Sequence, residues 1–235
     1  MMKRFWDQAA CVAEGGSFAI HLDGKPMRLP GGGTLRVATR ELGEALAAEW
    51  QVAGGAREGE MSWDDVPLTR LAGTAVERIA PKPEATIAAI AKYAETDLIC
   101  YRATDPALAE RQNAAWDDWL EWAARDLGAV LQTTTGIMPV RQSDEAIAAL
   151  HDAVAELSPV ALSALGVLVP SLGSAVLGLA VLRGALEPAE AHRLALVDEV
   201  FQEEKWGLDW ETEERREKVA ADLVTAARLA ALSAP

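Results

Sequence analysis

Histidine and cysteine are scarce in this chain: three and two among 235 residues. His21, His151 and His192 are scattered, lie near no cysteine and have no metal-ligand spacing, so no metal centre is expected. His21, in a predicted strand, reads as structural or exposed. Cys11 and Cys100 are far apart and read as buried free thiols of a reducing compartment. Basic residues are also short, with 22 Lys and Arg against 36 Asp and Glu. The net charge of −14 opposes binding to nucleic acid and to anionic membrane surfaces. Gly-x-Ser-x-Gly is absent, and no cysteine–histidine nucleophile pattern stands out. Gly31-Gly32-Gly33-Thr34 lacks the Lys-Ser/Thr of a phosphate loop and precedes a strand, so it reads as a hairpin loop. Carboxylates are plentiful, but nothing selects a catalytic pair. Behind the basic start Met1-Met2-Lys3-Arg4 there is no apolar run, so a secretory signal is not expected, and no transit peptide is evident either.

One stretch lacks charge altogether. Ser158–Leu182 is long enough to span a bilayer, but Pro170 interrupts it, and Gly166, Gly173 and Gly178 lower its helix propensity. The reading is two buried helices broken near Val169–Leu172, with small residues that let neighbouring backbones approach.

Half of the residues are hydrophobic, enough for a sizeable core. The first forty residues read as β structure. Cys11-Val12-Ala13 and Phe18–Leu22 flank Gly15-Gly16, Asp23-Gly24 turns the chain, and Leu35-Arg36-Val37 follows the Pro30 loop. From Thr39, a predicted N-cap, the period becomes helical, with Leu42, Ala45, Leu46, Trp50 and Ala53 on one face and a stop at Gly54-Gly55. Leu68, Leu71, Ala72, Ala75 and Ile79 form the stripe of a helix that starts at Pro67. Further helices are predicted over 84–98, 106–127, 144–157, 188–206 and 211–232; in the second, Trp116, Trp119, Leu120, Ala123 and Leu127 lie together. The fold class is α+β: a small N-terminal antiparallel β-containing domain with one helix (1–65), then a larger all-helical orthogonal bundle domain (66–235).

Eight tryptophans are many for a chain with so few other aromatics. Trp50 and Trp116 sit on apolar stripes and are assigned to the core. In the helix over 188–206, Leu194, Leu196, Val197, Val200 and Phe201 cover one side. Ala195, Glu199, Gln202 and Trp206 line the other, with Asp198 and Glu203 beside them. A tryptophan among carboxylates and an amide, opposite the core, fits either a partner surface or burial against a second helix. Glu204 falls toward the apolar side, where the helix is expected to fray or bend.

Several blocks resemble the ATP-twelve family of F-type ATP synthase assembly chaperones. In order they are Arg4-Phe-Trp, Leu22-Asp-Gly-Lys-Pro, Ala48-Glu-Trp-Gln, Val66-Pro-Leu-Thr-Arg-Leu-Ala, Tyr93-Ala-Glu-Thr-Asp-Leu-Ile-Cys-Tyr-Arg-Ala, Gln112-Asn-Ala-Ala-Trp-Asp and Asp198-Glu-Val-Phe-Gln-Glu-Glu-Lys-Trp-Gly-Leu-Asp. The chain departs from the family pattern at Ser62-Trp-Asp-Asp, a longer approach to the Pro-Leu-Thr block. The resemblance implies a monomeric, soluble, non-enzymatic chaperone without metal or cofactor. Its partner would be the unassembled α subunit of the catalytic head, kept from aggregating and handed to β. The partner-binding residues it points to are Glu199, Asp198, Gln202, Trp206 and Asp209, with Glu199 as the match for the acidic residue implicated in function and Asp198 as the alternative. The location would be cytoplasmic in a bacterium and the mitochondrial matrix in eukaryotic relatives. Two alternatives are an enzyme using carboxylates in a helical-domain pocket and a membrane-bound adaptor held by 159–182.

Overall fold

The computed structural model describes residues 2–207 and 210–234, and it divides into two compact units. The first comprises Met1–Pro83 with Ser158–Ala164 and Arg228–Pro235. Its elements are β1 (Met2–Lys3), β2 (Ala9–Glu14), β3 (Ser17–Leu22), β4 (Lys25–Pro26), β5 (Arg36–Val37), α1 (Arg40–Val52), β6 (Glu60–Met61) and α2 (Pro67–Thr74). β3 pairs antiparallel with β2 along its length, and with β4 and β5 on its other edge; β1 pairs with β6. Asp23 and Gly24 both have positive φ, the tight turn that the Asp-Gly pair predicted.

Thr39 caps α1, whose buried face is Leu42, Gly43, Leu46, Ala47 and Trp50. Gly43 is needed there, since a Cβ would lie 2.6 Å from Cys11 Sγ. The N-terminal segment is held by Arg4, whose buried guanidinium donates to the carbonyls of Trp6, Asp7, Gln51, Ala53 and Gly55. Trp6 Nε1 donates to Trp50 O at 2.9 Å, and Trp50 Nε1 donates to Thr69 Oγ1 at 3.0 Å. The Glu49 carboxylate accepts from the N–H groups of Leu68 and Thr69 and from the Thr69 hydroxyl, capping α2. α2 runs on into a π-helical segment, Ala75–Ile79.

The boundary expected after residue 65 therefore falls elsewhere. α2 belongs with the sheet because Glu49 and Trp50 hold its first turn, and the unit is completed by two later segments. Thr39 Oγ1 donates to Leu232 O at 2.5 Å, and Ser163 Oγ to Leu71 O at 2.8 Å.

The second unit, Glu84–Leu157 with Leu165–Ala227, is mostly helical. It holds α3 (Glu84–Ala91), β7 (Tyr101–Arg102), α4 (Pro106–Trp122), β8 (Thr134–Thr135), α5 (Asp144–Ala155), most of α6 (Pro159–Leu172), α7 (Ala175–Leu182), α8 (Pro188–Ala195), α9 (Val197–Trp206) and most of α10 (Trp210–Ser233). A two-residue parallel pair, β7 with β8, qualifies the expectation of an all-helical domain. The uncharged stretch forms two helices, and no helix among the described residues is long and apolar enough to cross a membrane. The break lies at Gly173-Ser174 rather than at Val169–Leu172: Pro170 is accommodated inside α6, Gly173 has φ 66°, and the Ser174 hydroxyl caps α7. A Cβ on Gly178 would stand 2.6 Å from Val169 Cγ2, so the close approach is real. The helix expected over 84–98 ends at Ala91 and gives way to 3₁₀ turns. α4 opens into a π-helical turn at Ala123, which rotates Trp122 and Ala123 inward and leaves Trp119, Leu120 and Leu127 half-buried.

Trp50 is 5% exposed and spends its indole N–H on Thr69. Trp50→Arg is expected to cost about 3–5 kcal/mol through a buried charge and lost packing. Trp50→Phe, which removes chiefly the donor, should cost about 1–2 kcal/mol. Urea unfolding of both variants checks the order and the sizes.

Candidate functional site

The surface opposite the core of α9 is built from α4 upward. Arg102, 7% exposed, donates to the carbonyls of Ile99 and Tyr101, to Asn113 Oδ1 at 2.5 Å and to Asp117 Oδ1 at 2.6 Å. Its guanidinium lies 5.4 Å from the Trp116 ring. Trp116 is fully buried and donates from Nε1 to Leu194 O at the end of α8. Gln112, also buried, accepts from Ala103 N and donates to Asp198 Oδ1 at 2.6 Å. The Gln112-Asn-Ala-Ala-Trp116-Asp block is thus a clamp that joins the 99–103 segment to the start of α9.

The inner face of α9 is Phe201, 7% exposed. Lys205 Nζ sits 4.1 Å and the Arg111 guanidinium 5.1 Å from its ring centroid. Arg111 makes two 2.8 Å bonds to Glu204, and Lys205 reaches Asp105 at 3.2 Å. The Arg111 guanidinium holds the Glu204 carboxyl below its usual range, and Lys205 with the Ala107 N–H does the same for Asp105. Glu204 therefore does not mark fraying; α9 continues to Trp206 and stops at Gly207, φ 88°.

The predicted single helix over 188–206 is two. α8 ends at Ala195, Leu196 caps both helices, and α9 starts at Val197. Ala195 leaves the stripe, and Val200 turns outward at 40% exposure. Glu199, Gln202 and Trp206 remain together on the exposed face, with Trp206 78% exposed and Glu199 the residue of the three that a second helix reaches. Asp198 points the other way, into the Gln112 clamp. Asp209 lies outside the described residues.

Two cations missed in the sequence complete this face. Arg216 on α10 donates to Glu199 Oε2 at 2.9 Å and bridges both carboxylate oxygens of Glu203, at 2.5 and 2.8 Å. Arg215 stands 3.5 Å from Glu199. No helical wheel of α9 reveals them, because they follow Gly207. A cleft of about 530 Å³ beside α9 is lined by Leu98, Tyr101, Arg102, Gln112, Ile137 and Asp198; a separate cleft of about 410 Å³ lies at Ile90 and Tyr93. The cleft beside α9 holds one carboxylate, and a cleft in the first unit holds one, Glu77. Among the described residues no cluster of His, Cys, Asp or Glu is arranged to hold a metal.

The model of the ATP12 chaperone protein family matches residues 3–124. A crystal structure of Atp12 from Paracoccus denitrificans superposes with a TM-score of 0.93 at 39% identity, covering 99% of this chain and 98% of that one. The chain belongs to the ATP12 chaperone family. This is the family of ATP synthase assembly chaperones that the sequence blocks resemble. Atu1473, a putative chaperone from Agrobacterium tumefaciens, matches with a TM-score of 0.89 at 37% identity over 98% of this chain and 85% of its own. Protein atp12, mitochondrial, of Schizosaccharomyces pombe is 23% identical over 217 residues, 87% of this chain and 74% of the relative.

The block Tyr93–Ala103 contains a further buried acid. Asp97 is fully enclosed and accepts from the N–H groups of Ile99 and Val176, at 3.3 and 3.1 Å. Burial pushes its carboxyl from 3.8 up to about 6, against the opposing pull of the Ser174 hydroxyl and the backbone donors of α7. The folded chain takes up this proton at higher pH than the unfolded chain. The group's contribution to stability is therefore complete below pH 3.8 and is lost as pH rises through about 6. On lowering the pH from about 7.5 to about 5, the native chain should gain on the order of 1 kcal/mol relative to Asp97→Asn. Denaturant titrations of both proteins across this range measure the gain; parallel profiles would place the Asp97 pKa near its ordinary value.

Proposed function

We propose that this ATP12-family chain binds the unassembled α subunit of the F-type ATP synthase catalytic head and keeps it from aggregating until β takes its place. The observation that carries this reading is Trp206, held 78% exposed in line with Glu199 and Gln202 on a helix whose other side is locked. An aromatic side chain beside a carboxylate and an amide is the composition of a protein-binding hot spot. An unpaired α subunit exposes the apolar surface meant for β, and covering it suppresses wrong association. Release to β requires only that β bind that surface more tightly, so no catalytic step, cofactor or nucleotide is involved. The protein acts as a monomer, in the cytoplasm of a bacterium or in the matrix for mitochondrial relatives.

Glu199 is the sharpest test. Arg216 keeps both of its bonds to Glu203 when the Glu199 carboxylate is removed, so the fold should change by less than about 0.5 kcal/mol in Glu199→Ala. Binding of isolated α subunit should weaken by about tenfold or more in Glu199→Ala and in Trp206→Ala. Glu199→Lys should be worse, since it sets a third cation beside Arg215 and Arg216. Light scattering of α subunit without ATP, affinity and thermal melting, measured together, decide the matter. Normal binding by all three variants, or a loss of binding that only follows a collapse in melting temperature, would remove α9 as the contact surface.

A further inference from the structure

The first unit carries an apolar groove of about 390 Å³, lined by Phe5, Trp6, Met27, Trp50, Met61 and Trp63 and edged by Lys3, Lys25 and Arg28. We propose that this groove is a second docking site, for an extended acidic polypeptide segment that carries a bulky apolar side chain. The proposal goes beyond the α9 reading and stands independently of it.

The floor is preformed. The indole N–H groups of Trp6 and Trp50 are spent on Trp50 O and Thr69 Oγ1, and the tilted rings of Trp6 and Trp50 lie 5.0 Å apart. Trp6, Trp50, Met27 and Met61 are buried and fix the shape of the floor, so the apolar surface open to an anchor is that of Phe5, half-buried Trp63 and exposed Pro26. The volume suits one or two large side chains. Phe5, 61% exposed and edge-on to Trp6 at 5.0 Å, stands at the margin as solvent-facing apolar surface.

The rim fixes the charge of the occupant. The whole chain carries 36 acidic and 22 basic residues, yet all three charged residues at this groove are cations. Lys25 has no ion pair among the described residues, and Lys3 has only the exposed Glu58 at 3.8 Å. Carboxylates flanking an apolar anchor complement this rim, whereas basic flanks are repelled. The backbone favours a polypeptide over a small amphiphile. Arg4 pairs through its N–H and C=O with Gly59 and Glu58, while Phe5, one residue on, makes no backbone hydrogen bond among the described residues. An exposed segment whose backbone pairing stops at Arg4 is where an added chain could continue it.

The test uses the full chain and a fluorescein-labelled peptide with a Leu-Phe pair between two Asp-Glu pairs, read by anisotropy. The same peptide with Lys-Arg flanks is the control. The acidic peptide should bind with a Kd on the order of 10–100 μM and weaken as salt is raised. The double variant Lys25→Glu with Arg28→Glu, and separately Phe5→Ser, should each weaken it by about tenfold or more while melting temperature holds. Trp206→Ala should leave it unchanged, which separates this site from the α9 surface. Equal binding of the basic peptide, undiminished binding by the folded variants, or binding of laurate in place of the acidic peptide would overturn the proposal.

Discussion

A guanidinium buried without a carboxylate organises the first unit. Arg4 is satisfied by backbone carbonyls alone, drawn from its own segment and from the end of α1 and the loop after it. Leaving such a charge buried and unmade would be costly, so those carbonyls must converge on it. Once they do, Trp6 is placed to bond Trp50 O, Trp50 to bond Thr69, and Glu49 to cap α2. The N-terminal segment, α1 and α2 thus depend on one connected polar chain within an apolar surround. Burial raises the Glu49 carboxyl above its ordinary range even against these donors, a sign of how little solvent reaches it.

The second unit solves a different problem by related means. Arg102 is shared between carbonyls and the side chains of Asn113 and Asp117, Gln112 bridges Ala103 and Asp198, and Trp116 reaches Leu194. These bonds hold α9 by its start, while the Arg111–Glu204 and Lys205–Asp105 pairs hold it along its inner side. Side chains on the outer face are consequently presented from a rigid helix, which lowers the ordering cost of binding. Exposed ion pairs of this kind add little stability individually, but here they fix orientation.

The sequence made periodic elements readable and left interruptions unread. The Asp23-Gly24 turn, the Thr39 cap and the α1 stripe follow from local chemistry, and the structure contains each. The break at Leu196 was hidden because the apolar residues around it keep helical spacing on either side. The displaced break at Gly173 arose because Pro170 was given more weight than a positive-φ glycine followed by a capping serine. At the candidate site, periodicity grouped Glu199, Gln202 and Trp206 on the side away from Phe201 but left open whether a second helix covers them. The inward turn of Asp198 did not follow from periodicity, since its partner Gln112 lies far away in sequence. Arg215 and Arg216 were invisible for the same reason. Most residues in the family-like blocks prove to be knitted into the fold, so a shared block marks a shared scaffold as often as a shared contact.

The composition of the first unit has a consequence for how the chain is made. Its sheet and two helices are encoded within the first 83 residues, but the unit also takes in Ser158–Ala164 and Arg228–Pro235, and Thr39, the cap of α1, donates to Leu232. Chain growth is vectorial, at about 5–20 residues per second. The early residues must therefore wait on the order of ten seconds after leaving the ribosome before their closing segment exists. During that interval the Thr39 hydroxyl lacks Leu232 O, and the site that buries Leu229 is unfilled. A nascent chain of a chaperone is in this respect a client, and the synthesis of residues 228–234 is the event that ends its exposure.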